Sequence, residues 1–74
     1  MRNLLDTINY VLEEFTQHEK LLKKELKALK KLCDIRMENV EENDDYISLQ
    51  NELSNIKKEI NIYKKIKKLL MQLP

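Results

Sequence analysis

The chain has 74 residues and a formal net charge of +1, which allows at most one small domain and no global field that draws in a polyanion. It contains no Gly and no Trp, and its one Pro is the final residue. That composition excludes phosphate-cradling glycine loops, the dinucleotide fingerprint and a GxxxG membrane-dimer motif, and it leaves a sheet fold without the residues that turn its corners. Charged residues at 36%, with Leu, Lys and Glu prominent, point to long helices.

The first predicted element is a helix over residues 3 to 40. Its a and d positions fall at Leu5, Ile8, Leu12, Phe15, Glu19, Leu22, Leu26, Leu29 and Cys33, and Glu19 alone is polar. The alternating steps of three and four are a sustained heptad track. Leu4, Val11 and Leu32 widen the stripe, which suits a bundle better than a bare two-stranded seam. Asp6, Glu13 and Glu14 interrupt any apolar run at the start, so a signal peptide is not expected. No apolar run reaches the length needed to span a bilayer, and the expected location is intracellular, cytoplasmic or nuclear.

An acidic corner follows at about residues 38 to 45. Asn43, Asp44 and Asp45 are poor interior helix residues and good N-caps. The second predicted helix covers residues 44 to 73, with its track at Tyr46, Leu49, Leu53, Ile56, Ile60, Tyr63, Lys67 and Leu70. Ile66, Leu69 and Leu73 broaden it near the end. The second track is one residue out of phase with the first, so the two seams do not join into one stripe. The expected fold is all-α, an antiparallel two-helix coiled-coil hairpin; one unbroken helix is the alternative that the absence of Gly and internal Pro permits.

A fold-back centred near residue 41 pairs Cys33 with Leu49, Leu29 with Leu53, Leu26 with Ile56, Leu22 with Ile60, Glu19 with Tyr63 and Leu12 with Leu70. A shift by one heptad is the competing register. In the first register Glu19 faces the Tyr63 hydroxyl, and Lys64, Lys65, Lys67 and Lys68 lie level with Glu13 and Glu14. The first turns of the longer helix overhang, leaving Leu4, Leu5 and Ile8 in water. Two helices cannot enclose a core, and chains of this size rarely stand alone without disulfides, metal or association. The expected partner is a second copy or another helical subunit. The expected protein interface is Leu4, Leu5, Ile8, Leu12 and Phe15 with Ile66, Leu69, Leu70 and Leu73.

Little in the sequence resembles reaction chemistry. Cys33 and His18 stand about 22 Å apart by helical rise and do not meet for nucleophilic catalysis. Cys33 reads as a small core residue, and His18 as a hydrogen-bonded residue flanking the seam. No metal site, no cofactor and no enzymatic activity are expected. The acids at the corner lack the spacing and turn Gly of a calcium loop. The lysines offer a second reading: Lys20, Lys23, Lys24, Lys27, Lys30 and Lys31, beside Lys57 and Lys58, form a basic belt suited to a nucleic-acid backbone. Against it, lysines are ordinary solvated helix residues whose stems cover apolar seams.

In layout the chain resembles small helical-hairpin proteins that dimerise into four-helix bundles, and short coiled-coil subunits of larger assemblies. The likeness is one of architecture, and no residue motif carries a function across.

Overall fold

A computed structural model describes residues 3–73 and forms an all-α antiparallel hairpin. Helix α1 spans Leu4–Arg36, helix α2 spans Asp44–Met71, and a short 3-10 turn at Val40–Glu42 lies between them. The rod measures 58 × 18 × 13 Å. Both helices begin on an asparagine cap. The Asn3 side chain accepts from the Asp6 N–H at 2.8 Å, and the Asn43 side chain accepts from the Tyr46 N–H at 3.0 Å. Each cap satisfies one of the orphan donors of a helix start. Asp6 in the first turn of α1, and Asp44 and Asp45 in that of α2, suit the positive end of the helix dipole.

Helix α1 stops at Arg36, four residues before the expected boundary. Met37 takes the left-handed conformation, φ 58° and ψ 31°. Its N–H donates to the Asp34 carbonyl at 3.2 Å, and the Glu38 N–H donates to the Cys33 carbonyl at 2.9 Å. This is a Schellman end with methionine where glycine normally stands. The chain therefore reverses immediately after α1. Asn39 caps the 3-10 turn through its side chain, which accepts from the Glu41 N–H at 3.1 Å. That turn touches both helices.

The early reversal moves the register. Tyr63 meets Phe15 rather than Glu19, with ring centroids 5.5 Å apart. Ile60, expected against Leu22, lines a cleft with Glu19 and Thr16. Ile56, expected against Leu26, lines a cleft with His18, Leu21 and Phe15. All three neighbours lie three or more residues nearer the start of α1 than the expected partners. The expected fold-back centred near residue 41 is thus shifted toward the start of α1, because α1 ends at Arg36 and the chain reverses at Met37.

The slip also removes the overhang. Ile8, expected in water, is buried, and Leu5 is half-buried, because the end of α2 now reaches the start of α1. Leu4 remains exposed. The fully buried positions are Ile8, Leu22, Leu26, Cys33 and Ile60, all on the two tracks. Cys33, 1% exposed, lies near the reversal, where its carbonyl holds the Glu38 N–H.

Charge favours the antiparallel arrangement. The first half of α1 carries Asp6, Glu13, Glu14 and Glu19, and its second half carries the lysines from 20 to 31. Helix α2 repeats the order, with Asp44, Asp45 and Glu52 preceding Lys57, Lys58, Lys64, Lys65, Lys67 and Lys68. Antiparallel pairing sets the acidic half of each helix beside the basic half of the other. Exposed pairs of this kind contribute about 0–1 kcal/mol each, enough to bias orientation and too little to hold the fold.

Candidate association surface

The hairpin has two broad faces, and contacts across the seam assign residues to each. Successive helical residues turn by about 100°, so residues three and four apart share a face. His18 and Glu52 occupy the same flank of their respective tracks, and they meet across the groove, His18 Nε2 lying 3.2 Å from Glu52 Oε1. That flank of α1 and that flank of α2 therefore open onto one side of the rod. On the other side, Thr16 and Glu19 share a shallow cleft with Lys57, Ile60, Asn61 and Lys64.

The His18–Glu52 side is apolar toward the open end of the hairpin, while by helical phase its middle carries Glu14, Glu25, Glu52 and Glu59. Along α1 it presents Leu4, Val11, Leu21, Leu32 and Ile35. Along α2 it presents Ile62, Ile66, Leu69 and Leu73, stepping by four, three and four. Apart from half-buried Val11 these side chains stand in water: Ile62 is 55% exposed, Leu69 64% and Leu73 66%. At the open end of the hairpin the two rows come together, with Leu4 and Val11 on one helix and Ile62, Ile66 and Leu69 on the other. Exposed apolar residues scattered singly are ordinary, whereas a cluster shared by two elements, as at the open end here, is a candidate interaction surface.

The opposite side is polar and basic. By helical phase it carries Lys20, Lys23, Lys27 and Lys30 from α1 with Lys57 and Lys64 from α2. Lys24, Lys31 and Lys58 fall on the outer edges. The new register places Lys57 beside Thr16 and Glu19, and sets the lysine run of α1 beside the acidic first half of α2. The ion pairs among the described residues are His18–Glu52 and Lys23–Glu19, the latter 3.4 Å and one helical turn apart. The expected pairing of Lys64, Lys65, Lys67 and Lys68 with Glu13 and Glu14 does not form. Glu19, expected against the Tyr63 hydroxyl, takes Lys23 instead. The Tyr46 hydroxyl accepts from Gln50 Nε2 at 2.8 Å.

The residues expected to form the protein interface divide in two. Leu4, Ile66, Leu69 and Leu73 stand exposed on the apolar side. Leu5, Leu12, Phe15 and Leu70 are half-buried along the seam, and Ile8 is buried. Sequence reasoning missed Ile62, Leu21 and Ile35. The signal that could have found Ile62 is its place in the Ile62–Ile66–Leu69–Leu73 ladder, a second heptad row beside the first.

Tyr10, half-exposed on the outside of α1, has its phenol pushed above the ordinary 10.0, first by a hydrogen bond with Glu14 and then by the charge of that carboxylate. No group of three or more His, Cys, Asp or Glu side chains among the described residues is arranged to hold a metal ion. No helix among them is long and apolar enough to cross a membrane. Comparison with protein-family models, curated proteins and solved structures gives no match.

Proposed function

We propose that the protein is a non-enzymatic helix-to-helix association module, working as a homo-oligomeric bundle or as a small subunit of a larger complex. The observation that carries this reading is the exposed apolar row on one side of the hairpin, running over both helices. Among the described residues five side chains are buried, and a core of that size gives a small domain little stability of its own. Covering the open row supplies what the hairpin lacks. Each Leu or Ile taken from water contributes about 1.5–3 kcal/mol when fully buried. Purification at endogenous level, with mass by light scattering and identification of accompanying chains, tests the reading. Recovery as a multimer or with another helical protein supports it. Recovery as a folded single chain with nothing attached refutes it.

A second reading rests on the opposite side. Lys20, Lys27, Lys30, Lys57 and Lys64 make no ion pair among the described residues, and lysines along one side of a helical rod suit a phosphate backbone. Binding to generic RNA or DNA that falls steeply between low and moderate salt supports it, and no binding at low salt removes it.

A further inference from the structure

We infer that the His18–Glu52 side of the hairpin is covered by a basic amphipathic helix of a different protein, one whose apolar stripe is flanked by lysines or arginines. The inference rests on the association reading and names the chemistry of the partner. Its ground is charge complementarity. By helical phase this side carries Glu14, Glu25, Glu52 and Glu59. In a chain with 14 Lys and Arg residues, none of these glutamates has a lysine or arginine three or four residues away on its own helix. Glu52 meets His18, and Glu14 meets Tyr10, while Glu25 and Glu59 pair with no cation among the described residues. The lysines lie on the opposite side, on the outer edges and, for Lys67, on the seam. A second copy laid on this side would set glutamates against glutamates, and like charges across an interface reject a partner. A helix with basic flanks supplies the missing sign. The positions of its charges follow from the rod. With His18 and Glu52 at one level, a rise of about 1.5 Å per residue puts Glu14 and Glu59 about 6 and 10 Å toward the open end. The same rise puts Glu25 about 10 Å toward the reversal. Carboxylates from both helices thus border about 21 Å of the groove, close to four helical turns. Ile62, Leu69 and Leu73 continue the groove as exposed apolar surface toward the open end. The matching helix carries its basic flanks over those turns and an apolar stripe that runs on past them.

Designed helices of about 30 residues, long enough to cover the acidic stretch and the open end, serve as probes. One has a leucine stripe with lysine flanks, one the same leucines with glutamate flanks, and one the same lysines with glutamines in place of the leucines. Fluorescence anisotropy measures their binding to the full chain, and sedimentation equilibrium gives the mass of each species. The expected result is a one-to-one complex with the leucine–lysine helix, at least about tenfold tighter than with either of the others. Glu25→Lys combined with Glu59→Lys is expected to weaken that complex at least about tenfold. Glu25→Gln with Glu59→Gln is the milder pair with the same expected direction, for use if charge reversal costs helix. Glu13→Lys, the same charge change on the opposite side, is expected to leave the complex unchanged. Equal or tighter binding of the leucine–glutamate helix overturns the basic partner and leaves association standing. Equal binding of the two lysine helices overturns the apolar contact. A dimer of twice the 9.0 kDa chain mass that the leucine–lysine helix does not open overturns the different partner and again leaves association standing. A folded monomer that binds none of the probes overturns this inference, and the association reading then stands or falls on the mass at endogenous level. Binding lost through Glu13→Lys but untouched at Glu25 and Glu59 overturns the face.

Discussion

Replacing Met37 with Gly is expected to stabilise the hairpin, although it removes a large apolar side chain. Met37 holds φ 58° and ψ 31° at the end of α1 and is 94% exposed. A residue with a Cβ in this left-handed region costs about 1–2 kcal/mol. Glycine removes that cost and adds back about 0.5–1 kcal/mol through the greater freedom of its unfolded chain. With so little of the side chain buried, almost no packing is lost. The net gain is roughly 0.5–1 kcal/mol. For a domain of this size about 1 kcal/mol moves the midpoint by about 4–8 °C, so the shift is roughly 2–8 °C. Thermal unfolding followed by circular dichroism measures it, with both proteins at one concentration because association makes the midpoint concentration-dependent. Met37→Ala serves as the companion: it keeps the strain and is expected to show no gain. Destabilisation by Met37→Gly, or an equal gain from Met37→Ala, would refute the left-handed reversal and with it the physical reason for the register.

Leu22→Ala, at a fully buried seam position, is expected to cost about 2–5 kcal/mol in urea unfolding, and a cost below about 1 kcal/mol would take Leu22 out of the core. Asn43→Ala removes the cap of α2 and is expected to cost about 1 kcal/mol, with an unchanged midpoint counting against the cap. The raised Tyr10 phenol favours its protonated form in the fold. Its contact with Glu14 therefore contributes fully below the unfolded value of 10.0 and is lost as pH rises through the higher folded value. Glu14→Gln is expected to bring the Tyr10 titration down toward the ordinary value, read from phenolate absorbance, and an unchanged titration would reject the Glu14 cause.

The heptad tracks made the two helices legible in the sequence, and the residues buried in the structure all lie on those tracks. Asn43 and the acids after it marked the start of α2 for a reason the structure repeats, a side-chain oxygen on an orphan N–H. The end of α1 was not legible. The residue in the left-handed position is a methionine, so the glycine that usually announces a helix stop is absent. The misplaced stop led directly to the misplaced register: a fold-back centred on the acids put Tyr63 opposite Glu19, whereas an immediate reversal at Met37 sets Tyr63 against Phe15. The candidate surface was legible in part. Leu4, Ile66, Leu69 and Leu73 stood out as additions to the tracks. Ile62 and Leu21 did not, because the side of the rod on which they fall depends on which flanks of the two helices meet, and only the His18–Glu52 contact settles that.

Cover over the apolar side of the rod is what separates an association module from a hairpin that stands alone. Methyl resonances of Ile and Leu, recorded on the native assembly with a soluble paramagnetic probe in the solvent, measure that cover residue by residue. Protection of Ile62 and Leu69 close to that of buried Leu22 is the predicted result. Broadening of Ile62 and Leu69 to the extent their exposure in a single hairpin dictates, with Leu22 still protected, would contradict it.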